Sequence, residues 1–345
     1  MKAGKFITLG VETSCDDTAL ALLEGAKTTL YDVISSQIAD HSPFGGVVPE
    51  LASRKHQEAF LPLLGALFKG SGMTPDEIDL IAVTAGPGLM GSLLVGVMAA
   101  KALAQAWGIP LVGVNHLEGH IFANILAHPR LEPPFLCLIV SGGHTEIVLA
   151  RGEGKYLLLG ATRDDAAGEA YDKAAKALGL GYPGGPVIER LAHGGDAMSF
   201  DFPIGLKDSK EVEFSFSGLK TALRTTVLNL KERGACGDLP IPDICASFQR
   251  AVTEALMRKT RLAVKKTGVK RVVISGGVAA NGALRDALTS EGKSAGWDVF
   301  IPSREYCTDN AAMIAAAGYS AFMRGERSDL SLTPDPSWEI WDESG

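Results

Sequence analysis

His116 and His120 stand four residues apart, a spacing that puts two imidazoles on one face of an α-helix, within reach of a single metal ion. Two histidines at this interval also occur on solvated helix faces, so the pair needs a third ligand to count as a site. Asp309 is a suitable hard oxygen donor at the entry of a predicted helix far downstream, although nothing local in the sequence brings it near. A His₂-carboxylate set with open positions suits iron(II) as well as zinc. One metal chemistry is excluded by the residues in between. A zinc peptidase carries its general base directly after the first histidine, in H-E-x-x-H, and here that position is Leu117. Glu118 lies about 200° round the helix from His116, at roughly 100° per residue, and is expected to point away from an ion held by the two rings.

A second group of candidates is built on glycine. Ser141-Gly142-Gly143 and Ser275-Gly276-Gly277 each follow an apolar run, where bare backbone N–H groups can approach phosphate or ribose. Either turn alone could simply relieve a tight bend. Together with the acidic turn from Glu12 to Asp17 and with Gly184-Gly185, they point to a nucleotide cleft. Neither G-x-x-x-x-G-K-[ST] nor G-x-G-x-x-G is present to specify another nucleotide fold. The remaining candidates read as structural. Phe214 and Phe216 are expected in the core, with Lys220 one turn into a following helix. Asp172 and Lys173 are expected as a solvated ion pair on an amphipathic helix. Cys15, with no histidine near it in sequence, is expected to be an inert small residue.

The elements that must position these groups alternate in type. Phe6 to Val11 runs apolar, stops at a polar turn and resumes over Ala19 to Leu23; Phe135 to Val140 stops at Ser141 and resumes over Ile147 to Ala150. A strand, polar turn, strand unit repeated after about 130 residues points to duplicated, domain-sized halves. Between the two copies, Leu80 to Thr84 and Leu111 to Val114 are predicted strands and Ser92 to Ala106 a predicted helix. Asn115 is a candidate N-cap for the histidine helix, Asn281 opens another after the strand Arg271 to Ile274, and Asp309-Asn310 precede an Ala-rich helix over 311–323. The segments from Asp196 to Glu213 and from Leu230 to Pro242, rich in Asp, Lys, Gly and Pro, are expected to be surface insertions. This alternation argues an α/β architecture.

With 345 residues, 46% hydrophobic and 21% charged, the chain is long enough for two domains and far from the composition of disorder. Its 40 glycines cluster in pairs and not in a linker. Five cysteines (15, 137, 236, 245 and 307) without a C-x-x-C pair support neither a disulfide framework nor a zinc knuckle and fit a reducing compartment. No signal-peptide pattern precedes Glu12 and no apolar run is read as a membrane span, so a cytoplasmic protein is expected. The net charge of −7 argues against a protein that coats nucleic acid unaided.

The motifs taken together resemble one family. Val11-Glu12-Thr13-Ser14-Cys15-Asp16-Asp17-Thr18, the run from Gly46 to Arg54, Thr84-Ala85-Gly86-Pro87-Gly88, His116-Leu117-Glu118-Gly119-His120, Val140 to Thr145, Phe214 to Lys220 and Cys307-Thr308-Asp309-Asn310 are similar, in order and over nearly the whole length, to the bacterial tRNA N6-adenosine threonylcarbamoyltransferases. The resemblance implies an actin-like ATPase (ASKHA) fold of two duplicated RNase H-like domains around a nucleotide cleft: residues 1–130 completed by a C-terminal helix at 309–330, and residues 131–308. It implies that His116, His120 and Asp309 bind one divalent metal, iron(II) in the family, with zinc or magnesium as alternatives. It implies nucleotide contacts, to ATP, ADP or threonylcarbamoyl-AMP, from Ile139, Val140, Ser141, Gly142, Gly143, Asp172, Gly185 and Asn281. Glu189 stands where many members carry a shorter acidic residue. The implied reaction is transfer of a threonylcarbamoyl group from threonylcarbamoyl-AMP to N6 of the adenosine 3′ of the anticodon, in tRNAs reading codons that begin with A, with release of AMP; Asp16 is assigned to the reacting end. A catalytically inert homologue and a small ATPase are the implied partners beside tRNA, and would supply what an acidic chain lacks. A small-molecule kinase of the same fold is the alternative; it would hold magnesium through carboxylates and water and leave the histidine pair unexplained.

Overall fold

The structure is a computed structural model and is described for residues 5–232 and 239–341. Cys236 lies outside the described residues. The chain divides into two compact units, residues 5–132 with 308–341, and residues 133–307.

The first unit is built on the strands β1 (Ile7–Glu12), β2 (Asp17–Glu24), β3 (Thr28–Ser36), β4 (Leu80–Gly86) and β5 (Leu111–Asn115). They form one sheet in the order β3-β2-β1-β4-β5, antiparallel across β1, β2 and β3 and parallel across β1, β4 and β5. Every residue of β1 and β4 is buried, as continuous apolar runs covered on both faces should be. By contrast β3, at the edge, has only exposed and half-buried residues. Helices α1 (Ile38–His41), α2 (Pro49–Ser71), α3 (Met90–Trp107) and α4 (His116–Ala127) belong to this unit. At 18 residues and a mean hydropathy of 1.3, α3 has the length and apolarity of a membrane span, contrary to the sequence expectation. Its Val97, Ala100 and Ala104 pack into the unit's core with Leu9, Val11 and Ile81, and Lys101 Nζ donates to the Leu332 carbonyl at 2.9 Å. Those contacts cover one face, while Met90, Leu94 and Met98 remain exposed on another.

The second unit repeats the plan. Strands β6 (Phe135–Val140), β7 (Thr145–Gly152), β8 (Lys155–Ala161), β9 (Arg271–Ser275) and β10 (Asp298–Phe300) pair in the order β10-β9-β6-β7-β8. With β6 set against β1 and β9 against β4, each parallel and antiparallel neighbour matches that of the first sheet. The repeat read from two strand-turn-strand passages therefore extends to whole sheets. Helices α5 (Ala167–Ala177), α6 (Gly184–Ala192), α7 (Ser217–Glu232), α8 (Ile241–Thr267) and α9 (Gly282–Ala295) complete this unit, and α10 (Ala311–Met323) returns to the first.

Two expectations change. Asp196 to Glu213 carries no helix or strand, yet Phe202 and Val212 are buried in the core cluster of the second unit, so the segment is more than a surface insertion. Polar residues around two apolar anchors hid that role. Of the passage from Leu230 to Pro242, the ends belong to helices, α7 up to Glu232 and α8 from Ile241.

Candidate functional site

In the first unit the parallel strands β1, β4 and β5 deliver polar residues side by side where their apolar runs end. Val11 pairs with Val83 and Thr84 with Val114, so Glu12, Thr84 and the start of α4 emerge at one edge of the sheet, the C-terminal edge where α/β sheets place ligands. Asn115 caps α4 as its spacing predicted, its side chain accepting from the Leu117 N–H at 2.9 Å. His116 opens the helix and His120 follows one turn later, both buried. Asn310 caps α10 in the same way, through the Met313 N–H, and Asp309 precedes it. α10 packs against α4, β1 and β4, which carries Asp309 to the histidines.

Asp309 Oδ1 lies 3.4 Å from His116 Nε2 and 3.3 Å from His120 Nε2, and one donor atom from each residue falls within 4.8 Å of the others. Two ligand atoms about 2.1 Å from one ion are about 3.0 Å apart at a right angle and about 3.4 Å apart at the tetrahedral angle, whereas hydrogen-bonded N–H···O pairs sit at about 2.7–3.2 Å. The two histidine–aspartate spacings are compatible with ligands around one cation. Two imidazoles and a carboxylate are a donor set for a borderline divalent ion.

The electrostatics fit that reading. Burial alone would drive Glu12 and Asp309 toward protonation, but the charge of His116 outweighs it, holding Glu12 below and Asp309 well below the ordinary carboxylate range. Burial works against an imidazolium at His116, and the two carboxylates overcome it and push this histidine well above its usual value. Its ring directs Nδ1 toward Glu12 at 3.0 Å and Nε2 toward Asp309 at 3.4 Å, the two carboxylates that favour its protonated form. An ion that takes Nε2 must displace a proton. Divalent metal affinity should accordingly weaken as pH falls, with protons released when the ion binds. Calorimetry in buffers of different ionisation enthalpy would measure it, and buffer-independent heats would contradict it.

The neighbouring acidic turn is partly covered. Asp16, half-buried between β1 and β2, has its carboxyl raised by burial, against a hydrogen bond from Cys15 and with help from the charge of Asp309. Asp17 is pushed up to about 7, mainly by burial. Burial likewise holds the Cys15 thiol well above its ordinary value, which agrees with an inert side chain; His56, remote in sequence, reaches its carbonyl through Nε2 at 3.0 Å. Glu118 points away from the two histidine rings as its helical angle requires, toward Arg324 at 3.5 Å. Sequence reasoning left Glu12 without a partner. Its signal was present, an acid ending an otherwise apolar strand, but the partner could not be read from it.

The other candidates lie in the second unit. Ile139 and Val140 end β6 and are fully buried. Ser141 opens the turn, its N–H donating to the His144 carbonyl at 2.8 Å and its carbonyl accepting from the Gly168 N–H at 3.1 Å. A Cβ on Gly168 would press on Ser141 and Gly142, and Gly276, at φ +88°, passes close to Val140. The two glycine turns and the start of α5 thus share one neighbourhood. Asp172, on α5, accepts from the Gly184 N–H at 2.7 Å beside Gly185, and Lys173 pairs with Asp165 and Glu169, each at 2.7 Å. The expected Asp172–Lys173 pair is replaced by these contacts, because successive helical residues face different ways. Glu189 Oε1 accepts from the Gly282 N–H at 2.8 Å, and Asn281 caps α9 and donates to Gln249 at 2.9 Å. Glu189 and Asn281 therefore meet at the entry of α9.

Comparison with known proteins gives one answer. Residues 28–316 match the profile of the family described as tRNA N6-adenosine threonylcarbamoyltransferase. Proteins of that name from Anaeromyxobacter sp. (strain Fw109-5) and Syntrophobacter fumaroxidans are 52% and 53% identical, over 96% and 95% of this chain and 99% and 97% of their own. Among solved structures, the (R)-2-hydroxyglutaryl-CoA dehydratase component A of Acidaminococcus fermentans is similar at a TM-score of 0.52 and 16% identity, over 91% of this chain and 98% of its own. Full-length HypF is similar at 0.59 and 15%, over 99% of this chain and 47% of its own. These two share the fold with this chain, the actin-like ATPase fold.

Proposed function

Because the chain belongs to the tRNA N6-adenosine threonylcarbamoyltransferase family, we propose that it carries out that reaction, with the three-residue cluster of the first unit as its metal centre and the glycine turns of the second unit as its nucleotide-binding residues. The enzyme is an acyltransferase of tRNA threonylcarbamoyl-adenosine synthesis. Threonylcarbamoyl-AMP is the donor, N6 of the adenosine 3′ of the anticodon is the acceptor, and AMP leaves. The observation that carries the assignment is the approach of His116 and His120 to Asp309 at 3.3–3.4 Å, a spacing that two ligands of one cation can have.

A mixed anhydride is already activated and AMP is a good leaving group, so the enzyme needs no covalent nucleophile; positioning and charge stabilisation carry the rate. His116, His120 and Asp309 hold the cation. Iron(II) is our assignment, with zinc or magnesium as alternatives, and such an ion supplies Lewis-acid charge for the oxygens of the donor. The backbone from Ile139 to Gly143, together with Asp172, Gly185, Glu189 and Asn281, binds the adenylate; ATP and ADP would occupy the same residues. Asp16 stands at the reacting end, where its carboxylate takes the proton that N6 sheds as the new C–N bond forms and the bond to AMP breaks. The acidic chain works beside an inactive homologue and a small ATPase in the cytoplasm, and these help it to engage tRNA.

In vitro transfer tests the reading. Threonylcarbamoyl-AMP, cognate tRNA and the two partner proteins should yield the modified nucleoside and AMP, detected by mass spectrometry. Phosphoryl transfer to a small alcohol with no modified nucleoside would mark the kinase alternative instead.

A further inference from the structure

Glu12 is fully buried and is not one of the three ligands. A buried carboxylate is costly unless its oxygens are satisfied, and this one is satisfied from three directions. Oε1 accepts from the Ser14 N–H. Oε2 accepts from the Thr84 hydroxyl at 2.6 Å and from His116 Nδ1 at 3.0 Å. The Ser14 hydroxyl also lies 3.2 Å from Nδ1, but a hydroxyl can donate or accept and so selects no tautomer. We propose that Glu12 is the positioning residue of the metal centre: by accepting the Nδ1 proton of His116 it leaves the Nε2 lone pair of the neutral ring facing Asp309, and thereby sets metal affinity. The inference rests on the metal reading of His116, His120 and Asp309.

The arrangement requires an acceptor-only group. A neutral imidazole offers one lone pair, and the hydrogen bond at the other nitrogen decides where it is. Donors from β4 and from the backbone after β1 lock the carboxylate, so its orientation is set by strand pairing and not by the metal. Glutamine at this position would keep the size but would have to aim an amide N–H₂ at the Ser14 N–H or toward the Thr84 and His116 side. The pattern is the carboxylate–histidine–metal arrangement, in which the outer carboxylate fixes ring and tautomer.

Cobalt(II) titration of the metal-free, full-length protein, followed by its visible absorption, is the test, with urea unfolding of each metal-free variant alongside. E12Q should bind cobalt(II) about 10- to 100-fold more weakly than wild type, and its transfer activity should recover when cobalt(II) is raised. T84V, which keeps the carboxylate but loses one of the donors that orient it, should bind severalfold more weakly and guards against an E12Q protein that does not fold. Affinity of either folded variant equal to wild type, whatever its urea midpoint, would make Glu12 a purely structural group and overturn the proposal. Wild-type protein that binds no cobalt(II) would overturn the metal reading and this inference with it; wild-type binding with unchanged variants overturns the role of Glu12 alone.

Discussion

Asp309→Ala protein should lose tight metal binding and threonylcarbamoyl transfer together while keeping its fold. Changing a residue behind a metal ligand costs about 10- to 100-fold in affinity, so removing one of three ligands should cost at least about 100-fold. Transfer should fall by a similar factor or more, since the ion's charge on the donor oxygens is lost with it. The substitution also removes one of the two carboxylates that keep His116 well above its usual value, so that ring should shed its proton more easily. Stability at neutral pH should fall, because a carboxylate held below its ordinary range and a histidine held above it lose each other, while the cap of α10, made by Asn310, is kept. Metal content after dialysis, single-turnover transfer and a urea curve check the three parts. Full metal occupancy with wild-type transfer would remove Asp309 from the site.

Gly10→Ala should damage fold and site at once. Gly10 lies within β1, where a Cβ would overlap the carbonyl oxygen of Ala311 and press on the Ala315 methyl. Only a glycine lets the first turn of α10 approach a strand backbone this closely. The contact is between two backbones, so no side-chain rotation relieves it, and α10 must shift. Overpacking of this kind costs about 1–3 kcal/mol and occasionally more, and a value near the upper end is expected here. Asp309 sits two residues before Ala311, so the same displacement should carry it off the histidines and weaken metal binding. A lower urea midpoint at an unchanged slope, with reduced cobalt(II) affinity, is the expected result. Wild-type stability and affinity would show that α10 yields at no cost.

Where sequence reading succeeded, the interactions were local. The face shared by His116 and His120 follows from the 3.6-residue turn, the side chains of Asn115 and Asn281 cap the helices they are expected to open, and Asn310 caps the Ala-rich helix it precedes. Leu117 and Glu118 were read against a peptidase base on the same grounds, and Glu118 turns to Arg324. Where it failed, a partner came from elsewhere in the fold. Asp172 and Lys173 were paired because they are neighbours in sequence, but Asp172 binds the Gly184 N–H and Lys173 reaches Asp165. The burial of Phe202 and Val212 depended on a core assembled from distant helices.

Glu12 shows the boundary between the two. Its place at the end of an apolar strand, the strand-turn-strand repeat, the histidine pair and the family motifs are written in consecutive residues, because helical period, strand alternation and capping act over a few positions along the chain. Which strand lies beside which is a matter of pairing between segments far apart, and no local preference encodes it. The order β1-β4-β5 set Glu12 beside Thr84 and His116, and the return of α10 onto β1, permitted by Gly10, brought Asp309 to the same point. The sequence determined the types of the proposed ligands and the helix that carries two of them. The tertiary structure alone decided that the third would meet them, and that a buried carboxylate would stand behind the first.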